Sequence, residues 1–113
     1  MLTDFDLTSE FKDNSLIMKT SGYINNTAGE EITNEFMKHK DEGITKVIMD
    51  LKESKVVNSI GISYLIEIIE KLNENKGKLY FTNLDPTIEK TFNIMGLFTF
   101  AEKADSIEDA LSK

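Results

Sequence analysis

Neither cysteine nor arginine occurs in this sequence, and histidine and proline occur once each, as His39 and Pro86. Without cysteine there is no disulfide framework, no thiolate nucleophile and no zinc–thiolate site. With one histidine, a metal site would have to be built mainly from carboxylates, and a serine–histidine pair has a single candidate base. All 13 basic residues are lysine, against 20 Asp and Glu, so the formal charge is −7 and the bidentate guanidinium grip on phosphate is missing. That balance disfavours direct contact with nucleic acid or an anionic membrane and suits a partner with a basic patch. No apolar run approaches the ~20 residues of a membrane helix. The opening MLTDFDLTSEF has neither the basic nor the apolar stretch of a leader, so a cytoplasmic chain is expected.

What is present is an ordinary globular composition. The 113 residues, 40% hydrophobic and 29% charged, predict one domain spanning 1–113 and leave no room for a second catalytic one. Phe5, Leu7 and Ser9 alternate with Asp6 and Thr8 as in a half-buried strand. Asp13-Asn14 supplies a turn and Ser15 to Thr20 returns as a hairpin partner, although Leu16, Ile17 and Met18 blur its alternation. Gly22 and Asn25-Asn26 break the pattern before a helix from Thr27 or Ala28 to about Lys40, with Ala28, Ile32, Phe36 and Met37 on its apolar stripe and Gly43 closing it. The apolar run Lys46 to Leu51 predicts a central strand.

From Ser59 the period changes to three and four through Ile62, Leu65, Ile66, Ile69 and Leu72, the clearest helix in the chain. Gly77 ends it, Lys78 to Thr82 is the next strand, and Asp85-Pro86 starts a third helix with Ile88, Phe92 and Met95 inward. A short strand around Thr99 to Ala101 and a last helix capped by Ser106, with Asp109 three residues on, complete the order. Repeated passage from strand to helix to strand predicts an α/β fold with a mixed, mostly parallel sheet of about five strands and about four helices, the hairpin giving an antiparallel edge.

The stretch Ser54 to Gly61 lies between a buried strand and the strongest helix, at the carboxyl end of the sheet where such folds present their sites. Ser59 falls at the N-cap or in the first turn, where its hydroxyl can accept from free amides and where an added phosphate is favoured. Taken alone, capping accounts for it. Asp50 at a strand end, Thr27 and Ser63 are read the same way, as capping or helix-surface groups. Tyr23 and Ile24 beside Asn25 are candidates for an interface rim. The group Met95, Leu97, Phe98 and Phe100 either closes the core or, if exposed, adds to a partner surface.

The pattern VIMDLKESKVVNSIGISYLIEIIEKL, from Val47 to Leu72, resembles the heart of the STAS domain, the family of bacterial anti-sigma factor antagonists. Asp50 matches the acidic end of its strand, Asn58-Ser59-Ile60-Gly61 its Asp-Ser-x-Gly-like motif, and Ser21 to Asn25 its glycine-containing turn. Gly77 to Phe81 and Phe92 to Leu97 extend the likeness over nearly the whole chain. The resemblance implies a non-enzymatic switch: the chain binds an anti-sigma factor that is also a serine kinase, is phosphorylated on Ser59, and is reset by a phosphatase. It implies a partner surface of Tyr23, Ile24, Asn25, Asn58, Ser59, Ile60, Gly61 and Ser63, no cofactor, and a monomer by default. Two positions depart from the commonest pattern. Asn58 stands where an acid usually precedes the serine, and Asn25 where an acid is often found in the turn.

A STAS-like scaffold without serine phosphorylation is the competing reading. A receiver domain would need Asp50 as acceptor, with Asp4 and Asp6 holding magnesium. A serine hydrolase would need a base for Ser59, with only His39 to supply it.

Overall fold

The computed structural model describes residues 4–113; residues 1–3, the first part of the stretch read above for a leader, lie outside the described residues. The chain opens with β1 (Asp6–Lys12) and β2 (Ser15–Ser21), paired antiparallel with Lys12 opposite Ser15. The two linking residues, Asp13 and Asn14, both take positive φ (52° and 64°). That is the backbone of the two-residue turn whose twist matches a hairpin, and Asp and Asn are the non-glycine residues that tolerate it best.

Then follow α1 (Asn26–Lys38), β3 (Lys46–Glu53), α2 (Ser59–Glu74), β4 (Lys78–Thr82), α3 (Pro86–Ile94), β5 (Ala101–Ala104) and α4 (Ile107–Leu111). Strands β2 to β5 pair parallel, and spatial order follows chain order without a reversal. This is the expected α/β class with a mixed, mostly parallel five-stranded sheet and four helices. Because the order never reverses, right-handed crossovers carry α1, α2 and α3 to one face. Among the described residues there is no crevice of the doubly wound kind, and the strand order differs from the receiver order, in which the first strand lies inside the sheet.

Side-chain alternation reports the same layering. Leu16, Met18, Val47, Met49, Leu79 and Phe81 join the main core with Ile32, Phe36, Leu65, Ile68, Ile88 and Phe92 of the helices. The intervening Ile17, Ile48 and Tyr80 form a smaller cluster on the opposite face with Ala110 of α4. Leu16 to Met18 blur the period of two because both faces of β2 are covered. Lys46 fastens α4 to the sheet: its Nζ donates to the carbonyls of Ala110 (2.7 Å), Leu111 (3.1 Å) and Lys113 (2.8 Å). Such a cation meets the negative end of the helix.

Several boundaries differ from the sequence reading. α1 ends at Lys38 and a 3-10 turn (Lys40–Glu42) carries the chain to Gly43, whose φ of 77° makes the left-handed stop. On α1, Met37 is exposed, because the buried stripe runs through Ala28, Ile32 and Phe36 and leaves the next position outside it; on α2, Ile68 is buried where Ile66 is only half-buried. Met95 is not inward: α3 ends at Ile94, Gly96 turns the chain at φ 82°, and Met95 is left exposed. The stretch expected to begin the last strand at Thr99 is a 3-10 turn (Leu97–Thr99), and β5 starts at Ala101. Leu97 is buried and Phe98 packs on Phe81 and Phe92, whereas Met95 and Phe100 are exposed, so that apolar group divides between core and surface. Ser106 caps α4 by accepting from the Asp109 amide (2.9 Å), while the Asp109 carboxylate accepts from the Asp105 amide.

Strand β1 is held to α1 by the Ser9 hydroxyl, which donates to Glu35, and by Phe11 stacked on His39. The Ser9 bond holds the Glu35 carboxyl below its ordinary value; burial opposes this, and Lys38 and His39 reinforce it. A carboxylate with a lowered folded pKa stabilises the fold above its unfolded pKa and loses that contribution as pH falls through the folded one. Glu35→Gln should therefore flatten the acid limb of the urea midpoint plotted against pH, from about pH 4.3 downward. Parallel curves for the two proteins would contradict this.

Candidate functional site

Two chain segments leave the carboxyl ends of neighbouring parallel strands, 21–25 from β2 and 53–58 from β3, and each runs into a helix. They remain paired beyond the strands. The Gly22 amide donates to Glu53 O (3.1 Å), the Ile24 amide to Val56 O (2.9 Å) and the Asn58 amide to Ile24 O (3.1 Å). Ile24 and Val57 form a parallel bridge. The amino ends of α1 and α2 are thus brought side by side.

Their caps are the two asparagines that depart from the family pattern. Asn25 accepts from the Ala28 amide (3.0 Å) and Asn58 from the Gly61 amide (2.8 Å). Aspartate would cap about as well, so at both positions the amide keeps the helix start and removes only the charge. Replacing Asn58 by alanine leaves the Gly61 amide without its acceptor, and a loss of about 1 kcal/mol is expected. Chemical denaturation reads it, and an unchanged midpoint would count against the cap.

Ser59 is therefore not the N-cap. It is the first helical residue, exposed, and its hydroxyl has no hydrogen-bond partner among the described residues. Its carbonyl accepts from the Ser63 hydroxyl (3.0 Å), which commits that hydroxyl inside the helix. The Ser59 and Ile60 amides find no acceptor among the described residues, as expected of a first turn whose cap serves only the Gly61 amide. A nucleophilic hydroxyl thus stands free beside two free donors.

The other sequence candidates sort by depth. Ile60 is 52% exposed and Val56 49%; Tyr23, Asn25 and Asn58 are half-buried and Ser63 is exposed. Ile24, expected at an interface rim, is fully buried in the main core. Its side chain offers no surface, because the backbone pairing to Val56 and Asn58 turns it inward. Gly61 is buried as well: a Cβ there would lie 2.5 Å from the Ile24 carbonyl oxygen, so its place is a close approach of backbones and only glycine fits. A groove of about 200 Å³ beside Val56 is lined by Lys55, Val57, Thr87, Ile88, Thr91 and Phe92. Beneath the loop the hydroxyls of Thr20 and Ser54, both buried, lie 2.8 Å apart. Neither stood out in the sequence, since the pair joins positions 34 residues apart.

The remaining polar candidates have other duties. Asp50 accepts from the Lys52 amide and from Asn83 Nδ2, both at 3.0 Å. His39 caps the far end of α1, bonded to Glu42. Thirteen helical residues separate the two ends of α1, about 20 Å at the helical rise, so His39 cannot act as a base for Ser59. Among the described residues no group of three His, Asp or Glu side chains could hold a metal ion, and no helix is long and apolar enough to cross a membrane.

Comparison with known proteins supplies the family. A protein of Bordetella bronchiseptica assigned as the anti-sigma factor antagonist BtrV is 27% identical over 104 residues, covering 92% of this chain and 90% of its own. The unphosphorylated form of the anti-sigma factor antagonist SpoIIAA superposes with a TM-score of 0.82 at 19% identity, over 95% of this chain and 94% of that one. The phosphorylated form of SpoIIAA, a Bacillus cell fate determinant, does so at 0.76 and 20% identity, over 95% and 97%. Likeness at those identities is likeness of fold. The STAS domain model matches residues 6–110, and with the overall fold in agreement, this chain belongs to the STAS domain family and resembles its anti-sigma factor antagonists.

Proposed function

We propose that this protein is a non-enzymatic, cytoplasmic signalling switch that binds an anti-sigma factor with serine-kinase activity and is turned off by phosphorylation of Ser59, a phosphatase restoring it. The observation that carries this reading is the unpartnered, exposed Ser59 hydroxyl at the first position of α2, beside two amides without acceptors. A phosphate there adds roughly −1.5 to −2 charges and three acceptor oxygens, which the positive end of the helix tolerates. The same group would sit on the residue next to the exposed Ile60 and three after the exposed Val56, so a partner packed on this stretch meets bulk, charge and a desolvation cost. Fold and interface therefore respond oppositely to one modification.

A scaffold role without phosphorylation is the second reading, and the neutral Asn25 and Asn58 favour it, because neither can help recruit a kinase lysine or magnesium. Incubation with each candidate ATP-dependent kinase of the source cell, followed by intact mass, separates the two. A single added phosphate, lost in Ser59→Ala, supports the switch. Failure with every kinase that binds the chain sinks it.

A further inference from the structure

We propose that Thr20 and Ser54 are positioning residues that set the loop carrying Ser59, an inference that rests on the reading of Ser59 as the phosphoacceptor. The pairing of β2 with β3 changes register at this place: Lys19 lies opposite Asp50 but Ser21 lies opposite Glu53, so three steps on β3 match two on β2. An irregularity of this kind disrupts the ladder locally and re-aims the chain that follows it. Thr20 is the residue on β2 inside the shift, and its hydroxyl bonds Ser54, the first residue after β3 (2.8 Å). Ser54 is 0% exposed and Thr20 3%.

Two hydroxyls in a dry interior are costly unless paired, and aliphatic side chains could fill the same volume. What the hydroxyl pair adds is direction. An apolar contact tolerates sliding, whereas a bond between two short side chains fixes where the chain leaves β3. From that point four residues lead to Ser59, and among the described residues the main-chain bonds holding them to the neighbouring segment are those from Ile24 to Val56 and from Asn58 to Ile24. The side chains of Lys55 and Val56 are exposed. The hydroxyl pair holds the base of this span and the Asn58 cap holds its end.

The test is the double variant Thr20→Val/Ser54→Ala, which removes both polar groups, leaves none orphaned and is expected to be nearly neutral for global stability. Amide hydrogen exchange is followed at Ile24 and Asn58 and, as references, at Leu65 and Tyr80 in the core. The double variant should exchange at least about tenfold faster at Ile24 and Asn58 with the core amides unchanged, and Thr20→Ser, which keeps the hydroxyl, should behave as wild type. With a kinase that labels the wild type, kcat/KM for phosphate transfer should fall about tenfold in the double variant, roughly the factor that ~1.4 kcal/mol of misplacement represents, and return in Thr20→Ser. Exchange at Ile24 and Asn58 that matches wild type, or that rises in step with the core, overturns the inference. If no kinase labels the wild type, the Ser59 reading fails, and the exchange result alone upholds or overturns the positioning pair.

Discussion

Ser59→Asp should weaken binding to the proposed kinase partner by about two decades relative to Ser59→Ala, equivalent to about 2.8 kcal/mol. The two substitutions separate charge from loss of the hydroxyl. Alanine removes a group that makes no bond inside the protein among the described residues, so it should bind much as wild type does. Aspartate places a carboxylate where the helix dipole favours one, by about 0.3–1 kcal/mol, so its thermal midpoint should equal or exceed that of wild type. A variant that is at least as stable and yet binds far less tightly has lost an interface, not a fold. Calorimetric titration decides this, and equal affinities for Ser59→Ala and Ser59→Asp would contradict the charge argument.

Phe92→Ala should cost about 3–5 kcal/mol, the usual loss for an aromatic side chain truncated in a core. Phe92 is fully buried, with Phe81 4.9 Å away by ring centroid and Phe98 at 6.3 Å. Among the described residues it and Ile88 are the two that α3 buries, so the truncation leaves Ile88 and the Glu89–Lys103 ion pair to hold that helix to the sheet. A chain of this size has roughly 6–17 kcal/mol in total, so the loss takes a substantial share of it. Ile94, two residues on and 75% exposed, supplies the comparison, and Ile94→Ala should stay within about 0.5 kcal/mol. Urea midpoints that fall equally for Phe92→Ala and Ile94→Ala would show that α3 is not anchored as described.

The elements readable from the sequence are those whose signals are local. Helix α2 announces itself through Ile62, Leu65, Ile69 and Leu72, β4 matches Lys78 to Thr82 residue for residue, and Asp85-Pro86 starts α3 where its chemistry says it should. What escaped depends on pairings distant in sequence. Ile24 reads as a rim residue because its neighbours are Tyr23 and Asn25, and it is buried only because segment 21–25 continues the sheet against 53–58. Met95 continues the spacing of Ile88 and Phe92, yet α3 stops one residue before it.

The site divides in the same way. The place of Ser59 at a helix start follows from the change of period, but not which residue caps the helix. Serine and asparagine are both good caps, and the choice fell to Asn58. As a result the Ser59 hydroxyl is left free, which strengthens its candidacy beyond what a capping serine could claim. The neutral caps at positions 25 and 58 also acquire a physical meaning: they keep both helix starts while lowering the negative charge around Ser59.

The most direct test couples modification to release in one sample. The complex with the partner kinase is formed and isolated, ATP is added, and dissociation is followed while Ser59 phosphate is quantified by fragment-ion mass spectrometry. Dissociation should track phosphate on Ser59 and be absent when Ser59→Ala is used. Release that proceeds without phosphate on Ser59, or a phosphate that accumulates there while the complex stays intact, would contradict the switch.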